Sequence, residues 1–535
     1  MNKKVNAARR AATPLLAAMA LLAAAFVLGG CSGGGKGTEE KHLIVAANPD
    51  HKTFDPALAY EPFSEWILAS CYNNLMEYDG GIDKLVTGAA SGYDVTPDGT
   101  VYTFSLRRDI TFSTGNPLTS RDVKWSHERM INLRGSGSFM AEGIVAIETP
   151  DDYTVVYRLA ESDPAFPYKL TFVVFNIIDA TEAETRGAVS GPDAGTADTA
   201  KLWFDTHSAG SGPYQIVTHT PNVEVVLERN PRYGGARPHF DRVTLKSVPD
   251  PNTQAMMLQR GDVDVAFDIG PEQAKQLAGV AGVTIMDARS LTASFLLMNR
   301  SPAVGGPAAH PLVQKAIRLA LDYPGIQTIA GPRMVTPRAP FPIGLSGSLG
   351  EADISGYPRT AEARALMAEA GHAAGFSTKL YVPTNKVLGV DLVLMAQKIQ
   401  NDLKAINIAV ELVPEEVTIS LDTYRTGKQS LGLWYWQPDY YENTSQLAFL
   451  PGNVVGLRAN WTEAMNPALA ALGRRAATEV DNEKRNALYA EIQARLIEDT
   501  PYAMLLQHAS QYAVRTGLTG VDYNMQRLDF KRIAE

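Results

Sequence analysis

Segments of period 2 and period 3.6 alternate along this chain from about residue 42 to its end, and that interleaving restricts it to mixed α/β architectures. Tyr102, Phe104 and Leu106 alternate with Thr103, Ser105 and Arg107; Tyr153, Val155, Tyr157 and Leu159 behave alike, as do Val223, Val225 and Leu227. Val263, Val265, Phe267 and Ile269 alternate with Asp262, Asp264, Ala266 and Asp268, which predicts a half-buried strand. Helices are predicted over 120–133, 311–321, 361–370, 390–405 and 483–498. Thr119 and Asp122 open the first as a capping box, Gly371 stops the third, and Leu488, Ile492 and Leu496 stripe the last. Glycine- and proline-rich breaks fall at 190–195, 208–213, 301–311 and 331–347. No repeat of roughly 20–50 residues is present, which excludes a solenoid or propeller.

The chain has 535 residues, 45% apolar and 20% charged, enough to bury a sizeable core. At roughly 100–200 residues per domain this means about three domains or one large discontinuous fold. Its net charge of −9 supplies no basic face for nucleic acid or an anionic membrane. The start reads as an address. Lys3, Lys4, Arg9 and Arg10 precede an apolar run from Leu15 to Leu28, which as a helix spans about 21 Å, short of a ~30 Å hydrocarbon core. Residues 1–30 are therefore expected to be a secretory signal and not a membrane span. The run ends in Leu28-Gly29-Gly30-Cys31, which resembles a bacterial lipobox and makes Cys31 the expected lipidated first residue of the mature chain. Losing four positive charges with residues 1–30 takes the net charge from −9 to −13. Residues 31–40 then form a glycine-rich tether. Cys71 is the one remaining cysteine, so no intrachain disulfide is expected, and Cys71 reads as a small buried hydrophobe.

No catalytic signature emerges. A phosphate-binding Gly-x-x-x-x-Gly-Lys-[Ser/Thr] loop, a Gly-x-Gly-x-x-Gly turn and a Gly-x-Ser-x-Gly elbow are all missing, and the nine histidines are scattered without metal-ligand spacing. No enzyme activity, metal or cofactor is expected. One segment does carry chemistry: five of the eight residues from Trp434 to Tyr441 are aromatic, and Asp439 sits among them. An acid walled by rings suits an organic cation, through a charge-assisted contact and cation–π attraction. The same pattern also fits a buried aromatic strand whose acid is held by a structural arginine or a helix N-terminus.

Nine segments occur in a fixed order. They are Tyr72-Asn73-Asn74-Leu75-Met76-Glu77-Tyr78, Tyr102-Thr103-Phe104-Ser105-Leu106-Arg107, Pro117-Leu118-Thr119-Ser120-Arg121-Asp122-Val123, Gly210-Ser211-Gly212-Pro213-Tyr214 and Glu228-Arg229-Asn230-Pro231-Arg232-Tyr233. Then follow Gln259-Arg260-Gly261-Asp262-Val263-Asp264, the stretch from Val313 to Asp322, Ala368-Glu369-Ala370-Gly371 and Trp436-x-x-Asp439. Together, from about His42 onward, they resemble the extracytoplasmic solute-binding proteins of peptide and nickel ABC importers.

The resemblance implies a two-lobed, hinged α/β binding protein of the large type. Lobe I is expected from 41–85, 205–290 and 500–535, an inserted domain from 86–204, and lobe II from 291–499. It implies a monomeric, exported lipoprotein facing the periplasm or cell exterior. Its partners would be a small ligand, most simply a short peptide, and the permease subunits of an ABC importer. In peptide-binding members the matching acid takes the ligand's α-ammonium; here that is Asp439, with Trp436, Tyr440 and Trp434 beside it. Dipeptide-binding relatives place a carboxylate-binding basic residue at the position of Lys386. Two departures point away from a simple oligopeptide receptor: Leu433 stands where oligopeptide binders have arginine, and Tyr440-Tyr441-Glu442-Asn443 replaces the commoner Asp-Pro. An opine, a sugar or a metal chelate remains open as the solute, as does a sensory or hydrolytic surface lipoprotein.

Overall fold

The computed structural model describes residues 40–49, 51–82, 84–331, 333–524 and 527–535. The signal segment, Cys31 and the tether up to residue 39 lie outside the described residues.

Ten strands make one mixed sheet, in the order Ile408–Glu415, Phe376–Pro383, Leu431–Trp436, Val283–Met298, Tyr502–Arg515, Val265–Ile269, His42–Ala47, Arg242–Ser247, Glu224–Arg229 and Tyr214–Thr220. Its two central strands are long, of 16 and 14 residues, and pair antiparallel along most of their length. Their register breaks between Arg289 and Ala293. On one side of that break the apolar side chains join cores built from residues 43–277 and 512–533. On the other they join cores built from residues 293–509. The molecule is thus two packed halves strung on two continuous strands.

A separate antiparallel sheet of Ala90–Val95, Val101–Leu106, Thr154–Leu159 and Ile144–Asp151 carries helix Ser120–Leu133. The Asp122 carboxylate accepts the Thr119 N–H at 2.9 Å, the expected capping box. This helix also delivers a fully buried Arg129, bonded to Asp55 at 2.6 Å and to Asp198 at 2.8 Å. A charge cluster removed from water in this way persists only when fully paired, and here it ties the small sheet to the first half. Gly371 takes φ +79°, as its stop position requires. Cys71 is buried, and burial pushes its thiol pKa up to about 12.

Two local expectations fail. The strand Val265–Ile269 is not half-buried: Ala266 is as fully buried as Val265, because helix Pro251–Arg260 covers its second face through Ala255 and Leu258. The helix expected to begin at residue 390 begins at Leu392. Val390 and Asp391 instead close a two-strand ribbon with Lys386 and Val387, and Asp391 caps the helix by accepting the N–H groups of Val393 and Leu394.

Candidate ligand-binding cleft

Strands Phe376–Pro383 and Leu431–Trp436 run parallel, with Leu380 opposite Leu431 and Tyr381 opposite Gly432. Residues following both strands therefore leave the same edge of the sheet, where open α/β sheets hold their ligands. Beyond Trp436 lies a cleft of about 970 Å³. One wall comes from 436–478 and the other from 139–169. Trp436, Asp439 and Tyr440 all line it.

Asp439 is half-buried, and burial pushes its pKa above the ordinary carboxylate range against the opposing pull of Tyr60. The Tyr60 hydroxyl donates to its Oδ1 at 2.5 Å, across 379 residues of chain. Tyr60 is itself set edge-on to Phe139 and Phe172. No cation faces Asp439 among the described residues. Trp436 shows the complementary condition: its indole packs edge-on to Phe449, and its buried Nε1 has no acceptor among the described residues. The cleft thus presents a carboxylate lacking a cation, and its wall encloses an N–H lacking an acceptor among the described residues. Buried charges are normally paired, so the half-buried Asp439 invites a cationic ligand.

The cleft is also electronegative. Glu142, Glu161, Asp163, Asp439 and Glu463 line it, against Lys169 and Arg474. Both cations are already paired, Lys169 to Asp163 at 2.6 Å and Arg474 to Glu463 at 2.8 Å. Lys169 also lies 5.7 Å from the centre of the Tyr440 ring. A hydrogen bond from Ser162 Oγ to the Thr478 carbonyl at 3.0 Å joins the two walls.

The acid held by a structural arginine exists, three residues on. Glu442 is buried and accepts from Arg485 Nε at 3.1 Å, Tyr489 at 2.8 Å, and the backbone and hydroxyl of Thr444. Glu442 thereby anchors the segment that follows Asp439, and Asp439 itself has Tyr60 as its bonded side chain and no arginine partner among the described residues.

Two of the five expected residues stand apart from the cleft. Trp434 is buried at 3% exposure, stacked on Tyr424 at 4.3 Å, with its Nε1 satisfied by Gln429 at 2.7 Å. It is a core residue, packed in one cluster with Phe295, Tyr424 and Leu447. Lys386 is exposed on its ribbon and is not among the cleft-lining residues. Tyr60, Lys169, Glu142 and Glu161 were invisible to sequence reasoning: each sits in an unremarkable stretch, brought to the cleft by the tertiary fold.

Residues 84–454 match the family of Bacterial extracellular solute-binding proteins, family 5 Middle. The chain belongs to this family. It is similar to the Probable D,D-dipeptide-binding periplasmic protein DdpA of Escherichia coli K12, 25% identical over 488 residues, 90% of this chain and 91% of that protein. Among solved structures it resembles the periplasmic binding protein DppA of Helicobacter pylori in complex with peptide STSA, with TM-score 0.73, 22% identity, and 92% and 98% of the two chains covered. It also resembles NikA of Brucella suis in complex with Fe(III)-EDTA, with TM-score 0.78, 21% identity, and 92% and 99% covered. The family 5 chain is therefore a two-lobed periplasmic-type binding protein of ABC importers and not an enzyme. Among the described residues no helix is long and apolar enough to cross a membrane, and no cluster of metal-ligating side chains occurs.

Proposed function

We propose that this binding protein captures an amine-bearing small solute, most simply a short peptide, and hands it to a permease. The observation that carries the reading is Asp439, a half-buried carboxylate in the cleft with no counter-ion among the described residues, which suits the solute's ammonium. Glu142 and Glu161 add negative field and draw cations toward the cleft. Relatives support the ligand class, since the E. coli protein is described as dipeptide-binding and the H. pylori structure holds a tetrapeptide. Closure of the two halves about the central strands dehydrates the solute, so that an ammonium–carboxylate pair weak in water becomes strong. Export and lipidation at Cys31 would keep the receptor at the membrane, facing the periplasm or cell exterior and working as a monomer beside its permease.

A thermal-shift panel tests this, because a ligand that binds only the folded protein stabilises it by RT ln(1 + [L]/Kd). Di- and tripeptides with free amino termini are expected to raise Tm most. Larger shifts from sugars, opines or metal chelates would transfer the reading to those solutes.

A further inference from the structure

A second cavity, of about 360 Å³, is lined by segments of residues 315–323, 336–359 and 496–504 and shares no lining residue with the solute cleft. Its charge has the opposite sign. Lys315, Arg318, Arg338 and Arg359 line it, against the carboxylates of Asp353 and Glu498. Asp353 is occupied locally, accepting the backbone N–H and hydroxyl of Ser355 at 3.0 and 2.7 Å. The side chain of Glu498 is exposed. Among the cations, Arg359 is paired to Glu362 at 2.5 Å. Arg318 donates to the carbonyls of Thr500 at 2.5 Å and Glu498 at 3.2 Å, which caps the end of helix Asn482–Glu498 but supplies no carboxylate. Burial pulls the Arg318 pKa below its ordinary value, against the opposing pull of Tyr323 and Asp499. Lys315 and Arg338 have no ion-pair partner among the described residues, and the buried Thr500 hydroxyl has no hydrogen-bond partner there.

We infer that this cavity binds a small, multiply charged oxyanion, held by Lys315, Arg318 and Arg338. The volume admits a phosphate or a polycarboxylate with room to spare, and is within the range of small-molecule sites. Guanidinium groups recognise either through paired N–H donors. Such a site leaves the solute cleft untouched, so the receptor carries both ligands at once.

Titration calorimetry at low ionic strength in a zwitterionic buffer tests the site, with inorganic phosphate and citrate as probes. Saturable one-site binding is expected for at least one of them, and which one identifies the geometry preferred. The double variant Lys315→Ala/Arg338→Ala removes exposed side chains and retains the fold, checked by its melting curve. It should weaken binding at least about tenfold, or 1.4 kcal/mol. Arg260→Ala/Lys404→Ala removes the same charge from exposed positions elsewhere, and should stay within about twofold of the parent. No saturable heat with either probe, or equal weakening in both double variants, overturns the inference.

Discussion

At the scale of single residues, the proposed reading divides recognition and stability between two acids three positions apart, Asp439 and Glu442. Asp439 is half-buried and without a counter-ion among the described residues, a cost that the proposed ammonium ligand would remove. The pH dependence follows. Because the folded-state pKa is raised, the stabilising contribution of Asp439 is present at acid pH and is lost as pH rises through that value. An ammonium ligand pulls the same pKa down, so affinity should be full above the raised value and decline as pH falls through it. Calorimetry from pH 7 towards pH 4 checks this; flat affinity would remove Asp439 from recognition. Asp439→Asn keeps an acceptor for Tyr60 while removing the charge. The unliganded variant should melt at a higher temperature than the parent at pH 7, and differential scanning calorimetry reads the difference. Glu442 behaves in the opposite sense. Glu442→Ala strands a buried Arg485 and should cost about 3–5 kcal/mol in urea unfolding.

At the scale of elements, the strand Leu431–Trp436 shows what periodicity conveys and what it conceals. Leu431 and Leu433 face one core, while Trp434 and Trp436 face the other. The alternation was readable in the residues, but the sheath on both faces was not, since it is built both by near neighbours such as Tyr424 and Phe449 and by distant chain such as Phe295 and Leu380. That is why the aromatic run looked like one cluster and is two: a core stack on Tyr424 and a cleft wall. Trp434→Ala should therefore lose about 3–5 kcal/mol of stability, and Trp436→Ala should lower ligand affinity with a smaller stability loss; chemical unfolding and calorimetry on both variants separate them. Helix 120–133 was legible to the residue because its capping box and apolar face are local. Lys386 was placed by similarity alone, and its ribbon leaves the same sheet edge as Asp439 without joining the cleft lining. Tyr60 and Glu161 carry no local pattern at all, for their roles arise from contacts spanning hundreds of residues.

At the scale of the whole molecule, two long strands join the halves, and their pairing shifts register between Arg289 and Ala293, the kind of irregularity at which strands bend. That stretch is tied to the recognition loop: Thr292 Oγ1 donates to Gln437 at 2.9 Å, two residues before Asp439. Gln507 spans the same region, donating to the Ser290 and Ile343 carbonyls at 2.9 Å each. In the proposed reading these bonds couple ligand capture to closure, and a saturating peptide should reduce the radius of gyration in small-angle scattering. The α/β class was evident from interleaved periods, whereas the order of the ten strands depends on crossovers that no local signal records. The most direct measurement is a calorimetric cycle that pairs a dipeptide with its N-acetylated form, against the parent protein and Asp439→Ala. The parent should bind the free amine a hundredfold or more tighter than the blocked one, and Asp439→Ala should lose that preference. Equal affinity of the parent for both peptides, or an undiminished preference in the variant, would contradict recognition of an ammonium by Asp439.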